Sequence, residues 1–518
     1  MLAAPRWLVV LAVCILAASS ADGCTRVVAG RHRPPTPAVG APLQWGDCDA
    51  FGVSTDDLPR STRCADLAVP VDYAKPGGDV AAVAVIKIPA TGRKLGSLVM
   101  NPGGPGGYGV DFAAWFAPEL PRALRERFDI IGFDPRGVGH SRPAISCVSS
   151  AEFDAWRADP DADFPPGGNS GTDYTPEGVA RFEAAERRYV QSCVERTGVD
   201  FLAAIGTSNV VKDLDALREA LGDEQLTYLG YSYGTQIGAL FAEAYPDRVR
   251  AMVLDGAVDP AAGSMQWMLD QAAGFQMAFD DYATDCARWP RCPLGTDPTK
   301  AVQVYHELVD PLLDEPAPTA DPRGLTYDDA ITGTVDALYI PQTWTTLTDG
   351  LRAVKEGRDA DDLLGLADEY LGRDEDGEYA NSMDAYTAVT CADYPYPKDE
   401  AAWAAYDQRL REVSPFQVFG HFTGHAPRGV CAFWPVPAIS EPHPVSADGV
   451  SPVLVISTTR DPATPHQDGI DLARQLGARL LTFEGTQHTA SFGGVACVDD
   501  AATDYLIDLT LPPEGLVC

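Results

Sequence analysis

Residues 226–246 read LTYLGYSYGTQIGALFAEAYP, an apolar run broken by Gly230-Tyr231-Ser232-Tyr233-Gly234 and followed by a second apolar run. Small residues on both sides of one serine mark a turn too tight for ordinary side chains. A strand entering and a helix leaving such a turn lift Ser232 Oγ clear of a sheet edge. They also aim the helix N-terminus, with its unpaired N–H groups, at any negative charge that forms there. Ser232 is therefore the candidate nucleophile.

A serine hydroxyl attacks poorly until a base takes its proton. In folds built on this turn the partners follow along the chain in the order Ser, Asp, His. The stretch VLVISTTRDPATP (453–465) places Asp461 just after a strand, and LLTFEGTQHTASFGG (480–494) places His488 just after the next. Between them HQDGIDLARQLG (466–477) has the length and period of one helix. His488 would take the Ser232 proton, and Asp461 would hold the other ring nitrogen. Asp255 and Asp259, in LDGAVDP (254–260), are rival acids, and Asp461 has a second reading as a helix cap. His466 reads as a surface residue opening the helix, and His140 as a loop-shaping residue. His306, His421, His425 and His443 match no HExxH-type metal pattern.

Acyl chemistry also needs two N–H donors for the oxyanion. Tyr233, directly after the serine, supplies one. The glycine-rich loop MNPGGPGGYG (100–109) offers the second, assigned to Gly104. This loop has neither GxxxxGK[ST] nor GxGxxG spacing, so it is not read as a phosphate cradle.

At 518 residues the chain exceeds one simple core, since cores stop growing at roughly 250–300 residues. Buried Val/Ile strands alternate with helical stretches from Trp45 onward, which predicts an α/β fold with a mainly parallel sheet. The strands are read in DVAAVAVIKIPA, GSLVMNPGG, FDIIGFDPRG, QLTYLGYS, VRAMVLDGAVDP and the two stretches around Asp461 and His488. NVVKDLDALREALG (209–222) reads as an amphipathic helix capped by Asn209. The predicted organisation is a signal peptide at 1–21, a tether at 22–44, the core at 45–260 and 449–518, and a large, mostly helical lid at 261–448.

The formal net charge of -35 repels phosphate backbones, which argues against nucleic-acid partners. The leader has Arg6 before a twelve-residue apolar stretch, Trp7–Ala18, too short to span a bilayer and followed by small residues. No later transmembrane segment is read. Export fits the twelve cysteines. Cys14 lies in the leader, and Cys24 is a candidate for lipid attachment, against ordinary cleavage near Ala21. The remaining ten pair by sequence neighbourhood as Cys48–Cys64, Cys147–Cys193, Cys286–Cys292, Cys391–Cys431 and Cys497–Cys518, one of many connectivities that ten cysteines allow.

Taken together, NPGGPGGYG (101–109), FDPRGVGHSRP (133–143), GYSYGTQIG (230–238) and DPATP…GTQHTASFGG resemble the α/β-hydrolase fold. More narrowly they resemble the secreted tripeptidyl aminopeptidases of actinobacteria and their proline-iminopeptidase relatives. The closing CVDDAATDYLIDLTLPPEGLVC (497–518) is similar to that family's tail. Pro102 stands where proline iminopeptidases carry His, which favours the tripeptidyl branch. The resemblance implies a serine exopeptidase acting on peptides or proteins with free N-termini, with no metal or organic cofactor. It implies Ser232, Asp461 and His488 as the triad, Gly104 and Tyr233 as oxyanion donors, and a lid carboxylate for the substrate amine, for which Asp393 in AVTCADYP is the candidate. An esterase, lipase or cell-envelope endopeptidase using the same triad is the alternative, and a non-catalytic surface protein a further one.

Overall fold

The computed structural model describes residues 36–55, 58–158 and 173–518. The leader, Cys24 and the first part of the tether lie outside these residues. Eight strands form one sheet, β1 Arg63–Pro70, β2 Val80–Ile88, β3 Gly96–Asn101, β4 Phe128–Phe133, β5 Leu226–Tyr231, β6 Val249–Asp255, β7 Leu454–Thr458 and β8 Arg479–Phe483. Their order across the sheet is β1-β2-β4-β3-β5-β6-β7-β8. β1 pairs antiparallel with β2, and β2 with β4, whereas every pair from β4 to β8 is parallel.

Alternation along the strands divides the apolar side chains between two faces. Val99, Ile131, Tyr228, Leu254 and Val455 face one cluster, with Tyr189, Leu214, Leu217, Ile237 and Leu472 from helices packed over it. Leu98, Met100, Ile130, Leu229, Val253 and Ile456 face the other, under Val110, Ala113, Leu124, Val498 and Tyr505. Both faces are covered, which is why the strands read as continuous apolar runs.

Helix Thr207–Leu221 begins earlier than its predicted cap. Asn209 lies inside it and donates from Nδ2 to Ala204 O at 3.0 Å. The start is set from outside the segment, by the Asp393 carboxylate, which accepts the Thr207 N–H at 2.7 Å. An anion at the positive end of the helix does the capping.

Between β6 and β7 the chain leaves the sheet. Its longest elements there are helices Ser264–Cys286, Tyr327–Ala337, Trp344–Glu356, Asp361–Leu371, Ser382–Asp393 and Glu400–Val413. Phe275, Phe279, Tyr282, Tyr305, Leu347 and Leu363 give this segment an apolar cluster of its own.

Five disulfides join the cysteines in the neighbour pattern. Such a set fits an oxidising compartment outside the cytosol. No helix among the described residues is long and apolar enough to cross a membrane. Cys147–Cys193 closes a separation of 46 residues, for which chain entropy assigns about 4 kcal/mol. Replacing both cysteines with serine should lower the urea midpoint of unfolding, and an unchanged midpoint would count against a restraining role for this bridge.

Candidate active site

β5 ends at Tyr231, and Ser232 follows with φ 54° and ψ −127° before helix Tyr233–Ala244 begins. Positive φ is strained for a residue with a side chain and persists only where neighbours enforce it. The enforcement is visible. Ser232 N–H donates to Asp255 O at 2.9 Å on the adjoining strand. A Cβ at Gly230 would sit 2.5 Å from Gly234 O, and one at Gly234 would sit 2.8 Å from Asn101 Oδ1. Both glycines are needed for space where the chain folds back on itself.

Asp461 lies past the C-terminal end of β7 and is fully buried. His488, past β8, donates from Nδ1 to it, with Nδ1 2.8 Å from Oδ1 and 3.0 Å from Oδ2. The carboxylate also accepts Ala463 N–H at 3.0 Å, Thr464 N–H at 2.9 Å and Thr489 N–H at 3.2 Å. Thr464 Oγ1 lies 3.4 Å from the same ring nitrogen. The imidazole lies beside the end of β6, the strand next to the serine turn. Its Cε1 is 3.1 Å from where a Cβ on Gly256 would be, and Gly256 directly follows the residue that receives the Ser232 N–H. Among the described residues no hydrogen bond joins Ser232 Oγ to His488 Nε2, and in such sites the catalytic hydrogen bond tightens when substrate binds.

Of the rival acids, Asp255 is buried but turned to the backbone of the His488 loop. It accepts Ala490 N–H at 2.9 Å, Ser491 N–H at 2.6 Å and Ser491 Oγ–H at 2.5 Å. Asp259 accepts from Gln475 Nε2 at 2.7 Å. His466 opens helix His466–Leu476 and pairs through Nδ1 with Ser457 Oγ at 2.8 Å. Asp461 alone among these acids meets the His488 ring.

The Gly103 N–H is already spent on Asn101 Oδ1 at 2.9 Å. Gly103 runs against the serine turn so closely that a Cβ would sit 2.6 Å from Tyr231 O. The next N–H, that of Gly104, makes no hydrogen bond among the described residues. Tyr233 is the first residue of its helix, a position whose N–H has no acceptor within the helix. Gly104, Ser232, Tyr233, Thr464 and Asp393 line one cavity. It adjoins a cleft of about 380 Å³, the two sharing Trp267, Gln271, Tyr370, Tyr386, Thr390 and Tyr396 as wall. Asp393 is nearly buried in that wall, and its Oδ2 accepts from Thr207 Oγ1 at 2.5 Å.

Residues 96–495 match the family model for the alpha/beta hydrolase fold. The chain belongs to the α/β-hydrolase family. The hydrolase is 52% identical over 520 residues to the serine protease Hip1 of Mycobacterium tuberculosis, covering 99% of this chain and 98% of the relative. It is 53% identical to carboxylesterase B of M. tuberculosis, covering 97% and 95%. It is 33% identical to the tripeptidyl aminopeptidase of Streptomyces lividans, covering 93% and 87%. It is a serine hydrolase. Sequence motifs did not reveal Tyr339, whose carbonyl accepts the His488 N–H at 2.8 Å and whose ring lies 5.5 Å from the imidazole, edge-on. Tyr339 sits in the helical segment outside any motif, so no spacing pointed to it.

Burial opposes the charged imidazolium of His488, but the Asp461 charge and hydrogen bond outweigh it, with a smaller push from Asp255. The ring therefore titrates above the ordinary histidine value of 6.5. A base acts in its neutral form, so kcat/KM should fall on acidification with a midpoint above 6.5, shifted upward from an unperturbed ring. Asp461→Asn should remove roughly 10⁴-fold of kcat. A pH–rate profile on a short acyl ester checks both; a midpoint at or below the ordinary value would contradict the geometry.

Proposed function

We propose that this hydrolase is an exported serine exopeptidase releasing short peptides, of about tripeptide length, from free N-termini. The observation that carries the reading is the strained turn at Ser232, which lines a cavity, taken with the Asp461–His488 pair. Ser232 Oγ attacks the scissile carbonyl while His488 Nε2 takes its proton. The oxyanion rests on the N–H groups of Gly104 and Tyr233. His488 then protonates the leaving amine, which departs with the C-terminal part of the substrate. Water, losing a proton to His488, opens the ester on Ser232 and frees the short N-terminal piece.

Exopeptidase action is supported by the aromatic-walled cleft whose lining overlaps that of the Ser232 cavity, and by the tripeptidyl aminopeptidase named among the relatives. Segment 261–448 acts as the lid that walls it. Asp393 is the proposed contact for the substrate ammonium. Burial lifts its carboxyl to about 6, and a bound ammonium would favour the anion. Each oxygen takes a single bond from Thr207, so lone pairs remain for a second donor. Export rests on the five disulfides together with the leader at 1–21, and lipid on Cys24 is the envelope-bound form of the same reading.

The 53% identity to a protein named carboxylesterase B favours a second reading, ester hydrolysis with the same three residues. Tripeptide anilides with free and acetylated N-termini, run beside short acyl esters, separate the two. The exopeptidase reading expects the free-amine anilide to be cleaved at least about 100-fold faster than its acetylated form, the scale of a lost buried ion pair. Turnover of esters alone would rule for the esterase. Ser232→Ala should abolish turnover by about 10⁴–10⁶-fold with the circular dichroism spectrum unchanged; residual hydrolysis near the wild-type rate would remove Ser232 from the mechanism.

A further inference from the structure

The turns carrying Asp461 and His488 leave the sheet from neighbouring strands, β7 and β8. Helix Ser264–Cys286 of the helical segment lies across both turns. Near its C-terminal end, Asp281 accepts from Arg460 Nε and Arg460 Nη2, each at 2.6 Å. The same carboxylate accepts from Thr486 Oγ1 at 2.8 Å. Arg460 immediately precedes Asp461, and Thr486 stands two residues before His488. One side chain thus ties the acid's turn to the base's turn.

The rest of the helix follows the same line. Gly274, about two turns earlier, lies against the acid turn so closely that a Cβ would sit 2.4 Å from Pro462 O. Gln271 Nε2 donates to Ala463 O at 3.1 Å. Ala463 is buried in the apolar cluster of the helical segment, away from the two clusters on the sheet faces. Phe275 packs on the Tyr339 ring with centroids 5.2 Å apart, and Tyr339 in turn abuts the imidazole.

We propose that Asp281 is a positioning residue. Through Arg460 and Thr486 it sets how Asp461 meets the His488 ring, so helix Ser264–Cys286 is part of the catalytic framework rather than a freely swinging cover. The inference rests on Asp461 and His488 being the acid and base. A bidentate arginine–carboxylate pair fixes direction as well as distance. Arg460 and Asp281 are 43% and 25% exposed, and pairs that solvent reaches add little to global stability. Positioning and stability are therefore separable by measurement.

The test uses the full-length protein and four forms, wild type, Asp281→Asn, Asp281→Glu and Thr486→Val. Four quantities are read, the rate at which a fluorophosphonate probe labels Ser232, kcat and KM on a short acyl ester, and the melting temperature. Asp281→Asn keeps the shape but sets an amide nitrogen against at least one of the three donors. It should lower kcat and the labelling rate together by about 10–100-fold, the scale of a small misplacement of reacting groups, with KM changed less than about threefold. Melting should move by no more than about 3 °C, as for a surface substitution. Thr486→Val removes one bond and should show a smaller loss of the same kind, and Asp281→Glu should recover most of the rate. Wild-type kcat in both Asp281→Asn and Thr486→Val, in a protein whose wild type labels at Ser232, overturns the positioning role alone. A loss of kcat that simply tracks a fall in melting temperature, with Asp281→Glu no better than Asp281→Asn, overturns it too. Failure of the wild type to label at Ser232 overturns the triad, and the positioning role falls with it.

Discussion

The site depends on how a fully buried carboxylate is kept satisfied. Asp461 has no contact with solvent, and an isolated charge in such a place is costly unless donors replace the lost water. Four donors do so, the N–H groups of Ala463, Thr464 and Thr489 and the Nδ1–H of His488. Two come from the acid's own turn and two from the base's. The carboxylate is therefore solvated by the two loops that it brings together. Moving either loop outward would leave an unpaired charge in the interior, which penalises the misaligned arrangement more than any single bond stabilises the aligned one. The serine turn is fixed separately, by steric closeness at Gly230, Gly234 and Gly103. The two halves of the site are built by different physics and meet at the sheet edge.

The helical segment between β6 and β7 is bound into this arrangement at several points. Gly106 of the glycine-rich loop lies against Ser382 O so closely that a Cβ would be 2.4 Å away. Asp393 caps a helix that belongs to the sheet layer. Asn381 donates from Nδ2 to Gly137 O at 2.9 Å and to Ile145 O at 2.8 Å. A cover hinged at its ends would touch the sheet layer at few places and through water; this one shares buried polar contacts with it. If the segment covers the site as proposed, substrate access would call for rearrangement of side chains and short loops more than for swinging of the whole segment.

Much of this was legible in the sequence, for a specific reason. Strand, tight turn and helix each carry a local signal, so the Gly-x-Ser-x-Gly turn, the glycine-rich loop and the segments around Asp461 and His488 could be placed without coordinates. The disulfides paired by neighbourhood because each closes locally within one layer of the fold. What stayed hidden was contact between residues far apart in sequence with no motif at either end. Asp281 and Arg460 are 179 positions apart, and Asp393 reaches Thr207 across 186. Asn209 was misread for the same reason, because the true cap comes from outside the helix. The antiparallel partner β1, RCADLAVP, was also missed, since its alternation is broken by small residues and Pro70.

The triad by itself does not decide between ester and amide. Both reactions pass through a tetrahedral intermediate, and the proposed Ser232, His488 and two N–H donors would serve either one. The difference lies in what is bound before the carbonyl reaches the serine. An amide is the harder bond to break, so its cleavage needs binding energy from remote parts of the substrate converted into position at the reacting centre. An exopeptidase obtains that energy from a short N-terminal segment, which demands a cleft with definite walls on one side of the serine. Trp267, Tyr370, Tyr386 and Tyr396 form such walls, and they come from the segment that also holds the acid and base loops. Binding there and alignment of the catalytic pair are thus carried by one packed body. If helix Ser264–Cys286 positions the pair as proposed, substrate filling the cleft would press on the helix that holds Asp461 against His488, whereas a small ester reaching only Ser232 would leave it untouched.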